Sequence, residues 1–213
     1  MSILREIAQS LEQGDEEGVG VLVRKALDER HAPLAILHDG LMAGMDVVGL
    51  RFRDRDIFLP DVLMAARAMQ VGVDLLEPLL SRDGMPVAGR VVIGTVHGDM
   101  HDIGKNLVGI MLRCAGFDVI DLGTDVRPER FVDAAQEQEA SVIGLSALLT
   151  TTMPVMKEVV ALVRARGLDA RVKVIVGGAP VSEAWAREIG ADGYGYDAAN
   201  AVERVRALMV PRA

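Results

Sequence analysis

The chain is poor in cysteine, in aromatic residues and in positive charge. Cys114 is its single cysteine, so no internal disulfide framework compensates for a weak core. The thiol lies on the apolar stripe of "LVGIMLRCAG", where an inert core side chain is expected. Aromatic residues make up 3% of the 213 residues, against 50% hydrophobic residues overall. The core must therefore be Val, Leu, Ile, Ala and Met, which suits helix bundles and parallel sheets. The formal net charge of −8 argues against the basic face of a nucleic-acid binder and against a polybasic membrane anchor. No window offers the roughly 18 apolar residues of a membrane helix. The acidic opening "MSILREIAQSLEQGDEEG" is not a secretory signal, and a cytoplasmic protein without membrane attachment is expected.

What is present falls into two rhythms. Residues 1–81 show helical periodicity only. A Ser N-cap opens a first helix with Ile3, Ile7 and Leu11 on one face. "EEGVGVLVRKALDER" is a second. A third follows Pro33, with Leu34, Leu37, Leu41, Met45 and Val48 aligned. The fourth is "LPDVLMAARAMQVGVDLLEPLL", started by Pro60. Four amphipathic helices read as a compact bundle, with Met42, Met45, Met64 and Met69 as core filler. Residues 82–89 carry turn residues without periodicity and form a linker. From residue 90 to 213 the pattern alternates. Apolar strands "RVVIGT", "DVIDLG", "SVIGLS", "RVKVIVGG" and "ADGYGY" are separated by helices starting near Lys105, Pro128, Met153 and Ser182, with a last one near Ala198. This predicts an α/β domain with a doubly wound, flavodoxin-like parallel sheet of order 2-1-3-4-5. Ligands of such sheets bind at the carboxyl ends of the strands, where strands 1 and 3 diverge. The unusual loops "HGDMHDIG", "SALLTTT" and "GGAP" all fall on that rim.

Several chemistries compete for "GTVHGDMHDIGKN", residues 94–106. A phosphate loop is disfavoured: the glycines at 94, 98, 104 and 109 match neither G-x-G-x-x-G nor the P-loop, and two aspartates would repel the anion. A phosphoacceptor receiver domain needs an Asp at the end of strand 3, where this chain has "GLSALL". A zinc or magnesium site could use His97 and His101, spaced i, i+4. Gly98 separates them, however, and the helix is expected only after Gly104. The remaining candidate is a single axial ligand to a metal already held in a large cofactor. Asp99 and His101 are two apart, so in an extended segment they point to the same side. The carboxylate then fixes the imidazole tautomer and leaves the other nitrogen for the metal.

"GDMHDIGKN", "GLSALLTTTMP" and "VIVGGAP", in that order, resemble the cobalamin-binding domain of corrinoid methyltransferases. "GMDVVGLRFRDRDIFLPDVLMAARAM" is similar to the helical cap that precedes this module in methionine synthase and in stand-alone corrinoid proteins. The likeness covers nearly the whole chain. Its length and its Thr-rich "LLTTTMPVMKEVV" are closer to the small corrinoid carriers of methylamine, methanol, betaine or methoxyarene systems.

The resemblance implies a set of roles. His101 is the lower axial ligand of cobalt in place of the cofactor's own benzimidazole, Asp99 bonds it, and Thr152 completes the relay. For Thr152, capping of the helix at Met153 is the alternative. Gly98, Met100, Asp102 and Ile103 complete the loop against the cofactor, and Gly104 leaves room for its nucleotide tail. Ser146, Leu148 and Thr150 line the tail slot with Gly177 and Gly178, and Asp197 and Ala198 touch the tail. In the cap, Phe52 and Leu59 cover the upper face, with bundle core as their alternative. His38 and Asp39 stand where the family often has an acid. His97 is read as a variable loop residue. The implied activity is that of a carrier. It accepts a methyl group on cobalt(I) from a substrate methyltransferase and delivers it from methylcobalt(III) to a second methyltransferase. The final acceptor would be tetrahydrofolate or a thiol such as coenzyme M. A reductive activase rescues oxidised cobalt, and the linker acts as hinge. The competing expectation is a cobalamin-dependent sensor acting through a protein partner.

Overall fold

The structure is a computed structural model that describes residues 2–80 and 88–209, apart from the side chains at 77 and 80. It divides into two compact units, residues 1–86 with 114–116, and residues 87–113 with 117–213. The expected linker lies mostly outside the described residues.

The first unit is helical. Helix α1 (Ile3–Glu12) buries Ile3, Ile7, Ser10 and Leu11, one apolar stripe at helical spacing. Ser2 occupies its N-cap without a side-chain bond. The effective cap belongs to α2 (Glu16–Asp28), where Asp15 accepts the Gly18 N–H at 2.9 Å. The third predicted helix is a continuous run, Pro33–Arg53. It comprises α3 (Pro33–Ala35), a π-helical segment (Ile36–Met42) and α4 (Ala43–Arg53). Leu37, Leu41, Met45 and Val48 are buried as expected, but Leu34 is exposed. The run crosses α1 through small residues: a Cβ on Gly44 would lie 2.7 Å from the Ala8 carbonyl oxygen. Helix α5 (Leu59–Leu80) completes the bundle. Its Gly72 gives way to the Leu41 side chain.

Two expectations are corrected here. Met64 is exposed, whereas Met45 and Met69 are buried. The run Pro33–Arg53 is, by length and composition, apolar enough to cross a membrane. Its apolar stripe is buried in the bundle, as that of a core helix is, because helix interiors and membrane spans share one composition.

The second unit is a five-stranded parallel sheet in the predicted order β2-β1-β3-β4-β5. The strands are β1 (Arg90–Thr95), β2 (Asp118–Asp121), β3 (Val142–Ser146), β4 (Lys173–Gly177) and β5 (Gly193–Gly195). Helices α6 (Ile103–Cys114), α7 (Pro128–Glu137), α8 (Met153–Ala165), α9 (Glu183–Ile189) and α10 (Ala198–Met209) connect and follow them. Helix α6 begins at Ile103 rather than near Lys105. The central strands read as unbroken apolar runs because both faces are covered. Val92, Ile143 and Val174 share a row across the sheet and pack with Phe131 and Met156. Gly94 admits the Phe131 ring; a Cβ there would lie 2.7 Å from it. Thr95, Ser146, Gly177 and Gly195 form the last row, which sets the heights of the loops above it.

Candidate functional site

The loop leaving β1 is organised around one carboxylate. Asp99 has no exposed surface. Its Oδ1 accepts the backbone N–H of His101 at 3.0 Å and lies 2.7 Å from His101 Nδ1. Its Oδ2 accepts the N–H groups of Leu148 at 2.7 Å and Leu149 at 3.2 Å, and the Thr152 hydroxyl at 3.0 Å. Burial alone would push this carboxyl up. The hydrogen bonds from the His101 and Leu148 backbone, the imidazole and Thr152 outweigh it and hold the group well below the usual carboxylate range. An ionised Asp99 can only accept, so Nδ1 of His101 carries a proton. In the neutral ring Nε2 then presents a bare lone pair on a side chain that is 53% exposed.

Asp99 and His101 thus meet side chain to side chain. Residues 99–102 belong to no strand or helix. The His101 N–H bonds the Asp99 side chain two residues back, an Asx-turn, and that turn brings the carboxylate and the imidazole together. The Thr95 hydroxyl fixes the far end by donating to the His101 carbonyl at 2.8 Å. Thr152 stands at the N-cap of α8 but makes no side-chain cap bond. Its oxygen lies between Asp99 Oδ2 and the Leu149 carbonyl, 2.9 Å away.

The other expected residues lie in both units and are described in turn. Gly98 has φ +83, in the left-handed region. Asp102 starts α6 by accepting from the Asn106 side chain at 3.0 Å and the Asn106 N–H, through its carbonyl, at 2.7 Å. Met100 and Ile103 are 70% and 74% exposed, and Leu148 and Thr150 are exposed on the loop after β3. A Cβ on Gly104 would meet nothing within 4 Å. Ser146 is half-buried between Thr95 and Gly177. A Cβ on Gly177 would approach the Gly195 carbonyl at 3.0 Å, while Gly178, at φ +130, packs directly on the backbone of Ala147. Asp197 accepts the Asn200 N–H at 2.7 Å, and Ala198 is buried at the start of α10. Phe52 and Leu59 belong to the helical unit, where both are half-buried.

Sequence reasoning missed three supporting residues. Lys105 is 3% exposed, and its Nζ bonds both carboxylate oxygens of Asp121, at 2.7 and 2.5 Å, and Asn106 Oδ1 at 2.7 Å. Asp125, in the loop after β2, accepts the Gly98 N–H at 2.7 Å. His97 is no idle loop residue, because its Nδ1 lies 2.7 Å from the same Asp125 oxygen. Acids at the end of β2 and in the loop after it, and a lysine in the first turn of α6, were the signals available.

The donor set suits a metal that brings its own in-plane ligands. Among the described residues, no group of three or more His, Cys, Asp or Glu side chains could hold a bare ion. One imidazole, open space beside Gly104 and exposed apolar side chains at 100, 103, 148 and 149 fit a broad, flat, largely apolar ring.

Comparison with known proteins agrees. Residues 89–203 match the family model of a B12 binding domain, and residues 3–77 match a second B12 binding domain model. A corrinoid protein of Desulfitobacterium hafniense (strain Y51) is 47% identical over 212 residues, covering 98% of each chain. A dimethylamine corrinoid protein of Methanosarcina acetivorans is 45% identical over 208 residues, 98% of this chain and 97% of the relative. Among solved structures, the methanol:cobalamin methyltransferase complex of Methanosarcina barkeri superposes with a TM-score of 0.86 at 33% identity, covering 97% of this chain and 79% of that one. A cobalamin-binding protein from Desulfitobacterium hafniense DCB-2 gives 0.82 at 33% identity, covering 96% of this chain and 98% of that one.

Proposed function

The chain belongs to the family of cobalamin-binding corrinoid proteins, and on that premise we propose that it is a methyl carrier whose His101 serves as lower axial ligand to a corrinoid cobalt. The observation that carries this reading is the Asp99–His101 contact of 2.7 Å on the carboxyl edge of the sheet. When bound, the corrinoid supplies a cobalt centre that takes up a methyl group from one partner and gives it to another.

The chain's own residues do the rest. His101 offers Nε2 as the ligand, and Asp99 holds the proton on Nδ1. Thr152 and the N–H groups of Leu148 and Leu149 keep Asp99 ionised, so the ring can engage or withdraw while the carboxylate stays fixed. Ser146, Gly177, Gly178 and the open space at Gly104 accept the tail of a cofactor whose benzimidazole has been displaced. The exposed Met100, Ile103 and Leu148 give the ring an apolar seat. The partners are a substrate methyltransferase, a second methyltransferase that uses tetrahydrofolate or a thiol, and a reductive activase. The names of the methylamine and methanol relatives support an amine or alcohol as the source of the methyl group.

The test is electron paramagnetic resonance of the cobalt(II) form on protein labelled with nitrogen-15 at histidine. Ligation by His101 gives a doublet splitting from the spin-½ label. The benzimidazole nitrogen of unlabelled cofactor gives a triplet. A doublet that disappears in His101→Ala supports the reading, and a triplet in the labelled wild type overturns it.

A further inference from the structure

The ligand loop is held from the side by a residue with no place in the relay just described. Asp125 grips the Gly98–Asp99 segment at both ends. Its Oδ1 accepts the Gly98 N–H at 2.7 Å, and its own N–H donates to the Asp99 carbonyl at 3.0 Å. Both bonds fall on the two residues that set where the Asp99 carboxylate begins. Asp125 adopts φ +56 to make them, a left-handed conformation that Asp and Asn tolerate better than most residues. The flanking chain is anchored by bonds of its own. The Thr95 N–H donates to the Gly123 carbonyl at 2.9 Å, the Val126 N–H returns to Thr95 at 3.0 Å, and Gly123 donates to Asp121 at 2.8 Å. His97 lies against the same carboxylate oxygen at 2.7 Å. The Gly98 N–H, then the charges of His97 and Arg127, hold Asp125 below the usual carboxylate range, so it is an anion that accepts from both donors. Two histidine–carboxylate pairs therefore lie side by side: one presents the ligand, and the other fixes the backbone beneath it.

We propose that Asp125, with His97 as its counter-group, is a positioning residue that sets the Asp99–His101 pair by clamping the Gly98–Asp99 peptides. This rests on His101 being the cobalt ligand. Metal-ligand geometry is sensitive to such outer supports.

The experiment replaces Asp125 in two ways in the full chain. Asp125→Gly keeps the left-handed backbone and the N–H but removes the acceptor. Asp125→Asn keeps an oxygen for Gly98. The side chain is half-exposed, so neither change opens the core, and melting curves establish that both fold. Affinity for hydroxocobalamin and the labelled-histidine doublet are read in each. The apoprotein gives a second measure, because imidazole nitrogen-15 shifts report whether the His101 proton stays on Nδ1. Asp125→Gly should weaken the histidine-ligated complex about 10-fold and mix the His101 tautomers in the apoprotein. Asp125→Asn should restore most of both, and His97→Gln should fall between. Wild-type behaviour of Asp125→Gly, or failure of Asp125→Asn to rescue it, overturns the clamp. Absence of the doublet in the wild type instead overturns the ligand assignment beneath it.

Discussion

Among the described residues, the helical unit buries one polar side chain, Ser10, whereas the sheet unit buries Thr95, Asp99, Lys105, Thr152 and Asn200. The helical unit follows the rule that an amphipathic stripe needs only apolar partners. In the sheet unit three of these, Thr95, Asp99 and Thr152, lie at the carboxyl ends of β1 and β3, where the strands diverge and the N–H groups of Leu148 and Leu149 turn to Asp99. A buried carboxylate survives there because His101, Leu148, Leu149 and Thr152 all donate to it. In the sheet unit the carboxylate that satisfies these donors also bonds the His101 side chain. In the helical unit apolar packing dominates, with the Asp15 cap of α2 beside it.

The strongest way to break that comparison is Asp99→Ala. It strands the inward N–H groups and the Thr152 hydroxyl, so the sheet unit should lose roughly 3 kcal/mol or more in urea unfolding and the histidine-ligated spectrum should vanish. The same carboxylate predicts an acid response. Its folded-state pKa lies below the ordinary value of 3.8, so the unfolded chain takes up the proton first. The stabilisation is complete above about pH 4 and drains away as the pH falls towards the folded-state value. On going from near pH 7 to about pH 3, the wild type should lose more stability than Asp99→Asn, and equal losses would contradict the assigned ionisation.

A smaller effect sharpens the contrast from the other side. Leu41 is fully buried against Gly72, and Leu41→Ala should destabilise the bundle by about 3 kcal/mol while leaving the doublet from His101 unchanged. The smallest expected change in stability is that of Gly104→Ala. The added methyl meets nothing, and in a helix it gains up to about 1 kcal/mol. The melting temperature should hold or rise while corrinoid affinity falls, because the methyl intrudes where the cofactor tail is assigned.

The sheet order and the pairing of Asp99 with His101 were legible because both are written locally. Alternating apolar runs fix the parallel topology, and two residues of spacing fix the pair. Thr152 was legible only through resemblance, since fifty-three positions separate it from Asp99. Lys105–Asp121 and Gly98–Asp125 escaped notice for the same physical reason. Their partners are brought together by β1 and β2 lying side by side, and nothing in either segment alone marks them. Gly178 was legible as a turn glycine, but the backbone of Ala147 that requires it comes from the neighbouring strand's loop. The π-helical segment was invisible for a different reason. Apolar spacing reports which face is buried, and Leu37, Leu41 and Met45 satisfy that reading whether or not the turns between them are widened.

That widened segment, Ile36–Met42, has a consequence for how the chain tolerates change in length. A π turn is an α-helix carrying one surplus residue, so the rungs on either side already stand in α-helical phase with each other. Removing the exposed His38 or Asp39 should relax the bulge to a regular spiral without rotating Met45 and Val48 off the bundle. A deletion at the same depth in α2, which has no residue to spare, would swing every later side chain about a quarter turn around the axis.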